Sequence, residues 1–292
     1  MDFINFLVIP ALVSGSVYAL VATGFNVVER TTRVLNFAHG ELIVWAPMAA
    51  LVSYTILDWP AWVALVAAVV VPVALVLVEE VVAIRPFIGQ PGQYPWILST
   101  LGVSLILQQA AFAPFEGQVQ SFPIALPRQP LEVAGARLSP QGLLVIVAAV
   151  VVLIALTWLY DRTDLGRMLT AVAEDADGAR MIGISPTRMS RIALMISALV
   201  AAVTGLVVAP IFLVEPHTGF GLVFIGFVAA AIGGLANITG GYIGAYVVGF
   251  VIQATAYHLS AVWVNAVVFG CFLLFYLVRP TGLFSGTTLR EV

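Results

Sequence analysis

The chain has 292 residues, 61% of them hydrophobic and only 9% charged. Soluble domains of this size carry about a quarter charged residues, so a water-facing surface is excluded and a lipid-facing one implied. A formal net charge of −3 offers nothing to nucleic acid or to an anionic surface.

All twelve basic residues are arginine. A nucleotide-binding P-loop requires the lysine of G-x-x-x-x-G-K-S/T, so this chain lacks that motif and any ATP hydrolysis belongs to another polypeptide. The single cysteine, Cys271, lies in an apolar run, has no internal disulfide partner and reads as a packing residue.

A spanning helix takes about 20 mostly apolar residues. Residues 3–28 are uncharged, lack a basic start and lead into further spans, so they read as a first transmembrane helix rather than a removed signal. Uncharged stretches follow at 42–57, 59–78, 86–115, 138–160, 192–214 and 216–278. The last is too long for two helices and divides near Asn237-Ile238-Thr239-Gly240-Gly241 and near Leu259-Ser260. Its first part, about 221–236, is short and glycine-rich, as is fitting for a half-span or broken helix. The stretch opening near Asn36 is short as well. The expectation is an all-α, polytopic transmembrane helix bundle forming one domain over 1–292, with eight or nine spans, some short or broken.

With nine spans and the N-terminus outside, ten arginines fall on one side and only Arg128 and Arg137 on the other. By the positive-inside bias, the C-terminus is cytoplasmic. The proline- and glycine-rich segment 116–137 is then an outer loop, and 161–191, with five arginines and five carboxylates, an inner one.

Within the inner loop Leu169, Val172, Ala173, Ala176 and Ala179 recur at helical spacing as one apolar stripe, with Glu174, Asp175 and Asp177 between them. Gly183 stands where a left-handed C-terminal cap is wanted. Ser185-Pro186 offers an N-cap and a first-turn proline for the next helix. The stripe suits either lipid or a partner protein, and its mixed charge favours the partner over the basic face usual at a membrane surface.

Here the chain resembles a known family. Gly166-Arg167, Ala173-Glu174-Asp175, Ala179 and Gly183-Ile184 look like the cytoplasmic loop of the branched-chain amino acid ABC permeases. Asp177-Gly178-Ala179-x-x-x-Gly183 is similar to the E-A-A-x-x-x-G core of ABC import permeases, with Asp and Gly in place of Glu and the first Ala. Near the start, Gly15-Ser16-Val17-Tyr18-Ala19-Leu20-x-Ala22-x-Gly24 precedes Leu35-Asn36-Phe37-Ala38-His39-Gly40-Glu41, the most specific signature. Arg279-Pro280-Thr281-Gly282-Leu283-Phe284 matches the family's close. Trp45-Ala46-Pro47 departs from the family pattern, and its proline puts a bend in the second helix.

The resemblance implies a permease subunit with no enzymatic activity and no cofactor. It implies two separate ATPase subunits, a second related permease subunit and an external substrate-binding protein. It makes 161–191 the coupling loop, with Leu169, Val172, Ala173, Glu174, Asp175, Ala176, Ala179 and Gly183 as the contact with the ATPase. Branched-chain amino acids are the implied solute; urea, short amides and other small solutes are served by the same family.

Asn36, His39, Gly40 and Glu41 form a polar cluster opening an apolar run. Such a cluster is costly in a membrane unless buried in protein or wetted. It serves either as a capping and packing motif or as part of a pathway. Gln108 and Gln109 in the fourth span, and Asn237, whose Asn-x-x-x-Gly pattern matches that of Asn36 to Gly40, are further polar candidates. His39, His217 and His258 lack metal-ligand spacing. A secondary transporter would need a mid-span carboxylate, and Glu29, Glu41, Glu79 and Glu80 all fall near predicted helix ends. An intramembrane enzyme would need a nucleophile–base or metal constellation, and none is apparent.

Overall fold

A computed structural model describes residues 3–87, 95–123, 127, 129–133 and 136–284. Eleven α-helices run along the described chain: α1 (Ile9–Thr32), α2 (His39–Leu51), α3 (Ala61–Glu79), α4 (Pro95–Phe112), α5 (Pro140–Arg162), α6 (Asp164–Glu174), α7 (Ala176–Met181), α8 (Pro186–Phe212), α9 (Thr218–Gly233), α10 (Ile238–His258) and α11 (Val264–Val278). Wider π-type turns precede α1 (Ile4–Val8) and extend α2 (Val52–Ile56) and α3 (Glu80–Ile84).

Seven helices are long and apolar enough to cross a membrane, α9 being a shorter apolar one. The polytopic helical bundle is as expected, but among the described residues seven such spans are found against the eight or nine expected, α9 and the still shorter α2 falling below a full span. The divisions expected near Asn237 and Leu259 are where α10 begins and ends.

One departure is a two-stranded hairpin, β1 (Leu131–Val133) with β2 (Ala136–Leu138), in the segment read as a plain loop. Another is Cys271, which is exposed on α11 rather than packed. Helix α11 packs on α9 and α10 along one edge, with only Val268 buried, and Cys271 lies on its outward face.

The core is built around α1, whose residues from Ser14 to Val28 are all buried. Helices α5, α8, α9 and α10 surround it. The apolar outer faces belong to α3, α4, α5 and α11, with Leu98, Ile154 and Leu277 exposed by 76%, 62% and 81%. In water such faces would aggregate; in a bilayer the acyl chains cover them.

The bundle has two polar ends. At one, Arg30 reaches Thr170 Oγ1 at 3.4 Å and stands 4.6 Å from the Tyr160 ring centre. Beside it Arg33 donates to the Ala173 carbonyl at 3.0 Å. Arg85, Arg162, Arg167, Arg180, Arg188, Arg191 and Arg279 belong to the same end. The chain after α11 returns there, Phe284 N–H donating to Gly233 O at 3.0 Å. Arg137 lies at the opposite end, its N–H bonded to Asn5 Oδ1 at 2.8 Å. Arg128 and Arg290 lie outside the described residues.

Helix α2 does not start at either end. His39, its first residue, bonds Ser197, which lies 11 residues beyond Pro186 in α8. At roughly 1.5 Å per residue that is about 16 Å into the bundle. The 33–38 link therefore dips inward. Glu41 is thereby carried to the interior, and Glu79 and Glu80 are buried too (2% and 0% exposed); each lies near a helix end as expected, but that end is inside the protein.

Glu80 is balanced by Arg191, whose Nε and Nη2 donate to Oε2 at 3.2 and 3.1 Å. Breaking a fully buried pair costs about 3–5 kcal/mol. Arg191 is 43% exposed, so solvent screening reduces the figure. Arg191→Ala is expected to cost about 1–3 kcal/mol by thermal melting in detergent, because it strands a buried carboxylate. Glu80→Leu combined with Arg191→Leu should recover most of that loss.

Candidate functional site

Two groups of side chains carry the functional argument: the loop at the arginine-rich end and the interior cluster around the start of α2. In the loop, Thr163 Oγ1 accepts from Gly166 N at 3.1 Å and caps α6. The helix stops at Asp175, whose backbone is extended (φ −149, ψ 102). Asp175 Oδ1 accepts from Asp177 N at 3.0 Å and Gly178 N at 2.9 Å, opening α7. The single amphipathic helix expected over 169–179 is thus two helices, because an aspartate that bonds the amides ahead of it competes with helix continuation.

The break changes which residues face outward. Leu169, Val172 and Ala179 are buried in the chain's own bundle, in a cluster with Val27, Leu156, Tyr160, Met189 and Ala193. These three residues of the stripe therefore hold the loop to α1, α5 and α8, while Ala173 is partly open and Ala176 is exposed. The exposed residues are Glu174, Asp175, Ala176, Asp177 and Arg180, followed by Met181 and Ile182, exposed by 87% and 74%. Sequence reasoning passed over these last two; two large apolar residues directly before a turn glycine were the available signal.

The turn itself is as expected. Gly183 has φ +88, its N–H donates to Arg180 O at 3.1 Å and Ile184 N–H donates to Ala179 O at 3.0 Å. This pair of bonds is a Schellman cap, closed by the apolar Ala179 and Ile184 in one cluster. Ser185 Oγ then accepts from Arg188 N at 3.4 Å, with Pro186 in the first turn of α8. A side chain at Gly183 would meet nothing within 4 Å, so a substitution there costs only backbone strain, about 1–2 kcal/mol.

In the interior, Asn36 Oδ1 accepts from Ala38 N at 2.8 Å and Asn36 O accepts from His39 N at 3.3 Å. The asparagine turns the link rather than capping α2, and its side chain lies against Glu79 of α3. Ser197 Oγ donates to Gly24 O at 3.1 Å and lies 3.1 Å from His39 Nδ1. A hydroxyl has one proton, so His39 is assigned as the Nδ1–H donor to Ser197. A methyl group at Gly24 would overlap the imidazole, and one at Gly40 would overlap Gly219 and Val223 of α9. Glu41 Oε1 accepts from Ser104 Oγ of α4 at 3.2 Å. Ser104, Ser197 and Glu79 were absent from the sequence-based cluster, since their membership depends on pairing between distant helices.

Gln108 is 8% exposed, on the α4 turn where Trp45 Nε1 donates to Leu107 O at 3.0 Å. Asn237 stands elsewhere, at the arginine-rich end. Its Oδ1 accepts from Gly240 N at 2.8 Å and caps α10, and its Nδ2 donates to Phe284 O at 3.0 Å. Both asparagines of the Asn-x-x-x-Gly pattern thus organise a helix start, at different depths. His217 and His258 are exposed. Among the described residues no group of three or more His, Cys, Asp or Glu side chains is placed to hold a metal ion. A cavity of about 20 Å³ between α2, α8 and α9 touches Ile43, Val44 and Pro47 but neither His39 nor Glu41. That is space for about one water molecule, too little for an organic solute.

The arrangement suits a packing role for the cluster. Asn36→Ala is expected to cost about 1 kcal/mol for its lost bond, and His39→Ala about 2–4 kcal/mol as a large buried side chain. Both appear as lower folded yield and melting temperature in detergent. Normal assembly with an altered choice of solute would assign the cluster to the pathway instead.

A family model described as "Branched-chain amino acid transport system / permease component" matches residues 7–277. The chain is 28% identical over 297 residues to the high-affinity branched-chain amino acid transport system permease protein BraD of Pseudomonas aeruginosa, covering 97% of this chain and 96% of that one. It is 27% identical over 294 residues to the corresponding permease protein LivH of Escherichia coli K12, covering 95% and 94%. Among solved structures, one described as an inward-facing conformation of a metal-chelate type ABC transporter aligns with TM-score 0.52 at 13% identity, over 95% of this chain and 88% of that one. PsaBC from Streptococcus pneumoniae in complex with Fab aligns with TM-score 0.50 at 12% identity, over 93% and 91%. These two likenesses concern the fold alone.

Proposed function

This chain belongs to the branched-chain amino acid transport permease family, and from that membership we propose that it is the membrane-spanning subunit of an ATP-driven importer of branched-chain amino acids. It performs no reaction of its own. Two ATPase subunits supply the energy, a second related permease completes the membrane domain, and an external binding protein delivers the solute.

The observation that carries this reading is the exposed tip Met181–Ile182, 87% and 74% exposed, beside the charged face of α7. Large apolar side chains raised above a polar loop are the groups a protein groove takes up. Glu174, Asp175 and Asp177 flank the tip with negative charge, so the complementary groove is basic at its rim. Ala179 and Gly183 serve this contact by setting the turn that presents it.

Movement of the tip has a defined route into the membrane. The Gly183 cap joins α7 to α8, and Arg191, one turn into α8, is paired with Glu80 beyond α3. Arg30 and Arg33 tie α6 to the end of α1. Rotation of the loop therefore moves α1, α3 and α8 together. The arginine bias supports a cytoplasmic position for this loop and the C-terminus.

Two experiments test the reading. Single cysteines at Asp177 and Gln129 in a Cys271→Ala background should react with an impermeant thiol reagent only at position 129 in intact cells; the reverse pattern overturns the orientation. Met181→Asp with Ile182→Asp should leave melting temperature unchanged, since both residues are exposed, yet reduce co-purified ATPase at least tenfold, about 1.4 kcal/mol or more, and abolish uptake. Full ATPase retention and normal uptake would remove the tip from the interface. Ala179→Arg, by contrast, should fail earlier, as a folding defect, because its site is inside the bundle.

A further inference from the structure

A recess of about 450 Å³ opens at the end of the bundle opposite the arginine-rich loop. Its floor is Ala50, Leu51 and Ala64, exposed by only 4%, 3% and 5%. Leu206 and Val207 of α8 close the back, and Leu65 of α3 and Leu144 of α5 stand at the sides. The alanines make the space: Ala50, Ala64 and Ala68 pack together where larger side chains would fill it.

We propose that this recess binds one acyl chain of a membrane phospholipid. The lining has no ionisable side chain apart from Tyr54, so it offers nothing to a zwitterionic or charged solute. Gln141, at the head of α5, is already engaged with the Val207 carbonyl at 2.6 Å. Beside the recess, the flanks of α3 and α5 are apolar and outward-facing, Val66 and Val70 being 53% and 56% exposed and Val147 and Val151 48% and 56%. The recess therefore lies within the row of residues that acyl chains cover, and it continues inward to α2 and α8.

Its volume is compatible with this occupant. An engineered apolar cavity of about 150 Å³ takes up benzene, so about 450 Å³ accommodates about eighteen carbon atoms by the same scale, the length of one phospholipid chain. A helix about 10 Å across would fill that volume with about one turn. One isolated turn is a poor fit for a continuous partner helix, whereas a flexible acyl chain can follow the recess inward. The inference is independent of which solute is carried and of the ATPase contact.

The assembled importer, reconstituted in vesicles of phosphatidylethanolamine and phosphatidylglycerol doped with a phospholipid bearing a diazirine in its acyl chain, tests this after photolysis and peptide mapping. Peptides with Tyr54, Leu65 and Leu144 should carry at least threefold more lipid adduct than the α11 peptide with Leu273 and Leu274, which are 61% and 67% exposed. Ala64→Trp, filling the floor, should remove the excess and leave α11 labelling unchanged. Leu144→Trp narrows the mouth from a partly exposed position and serves if the first variant fails to fold. Equal labelling of recess and α11 would mean ordinary boundary lipid and overturn the proposal. So would an excess that both variants leave intact, or protein–protein adducts in place of lipid adducts at these residues.

Discussion

A helix that starts inside an apolar bundle must satisfy its own first amides, because lipid cannot. Helix α2 meets this demand with its neighbours in sequence. Asn36 takes the Ala38 amide on Oδ1 and the His39 amide on its carbonyl, while the Ala38 carbonyl receives Glu41 and Leu42 at 3.0 and 3.3 Å. Once this start is fixed, the rest follows from proximity. His39 must meet α8 and the bare Gly24 of α1, Gly40 must meet Gly219 of α9, and Glu41 must find Ser104 on α4. The most specific sequence signature is thus the place where the bundle is pinned together.

The loop 161–191 follows a complementary pattern. Leu169, Val172 and Ala179 attach it to the bundle, while its charged residues and the Met181–Ile182 tip stay exposed. Such a segment is rigid at its root and accessible at its tip. Leu169, Val172 and Ala179 provide the root, with Arg30 and Arg33 reinforcing it. The Gly183 cap fixes the angle at which Met181 and Ile182 project. A single uninterrupted helix with its stripe turned outward would have been a looser connection.

Much of this was legible in the chain. Span positions, the short helices, the division at Asn237, and the Gly183 and Ser185-Pro186 caps all follow from local rules of hydropathy, capping and turn chemistry. Most of the misplaced features are those set by distant partners. Asp175 is the local exception: it reads as one acidic position on a helix face, yet its side chain bonds the amides of Asp177 and Gly178 just ahead. Glu79 and Glu80 look like span-end residues until Arg191, over a hundred residues later, is placed beside the second. The orientation of the Leu169–Ala179 stripe was undecidable from periodicity, which finds a face without saying what covers it. The hairpin at Leu131–Leu138 was hidden by composition typical of loops, and Cys271 by an apolar run that turned out to face lipid.

The interior start of α2 also sets an order of events during synthesis. Its partners Ser197 and Gly219 are made more than 150 residues later, so when α2 leaves the ribosome neither exists. Contacts so distant in sequence form late and leave unpaired groups exposed until then. The link 33–38, with Arg33 and Asn36 among apolar residues, must meanwhile wait in the insertion machinery or at the membrane surface. Stable embedding of α2 is therefore a late step in synthesis, set by the arrival of α8 and α9. Truncations before α9 should be cleared by quality-control proteases even though each of their long helices is individually apolar enough to insert.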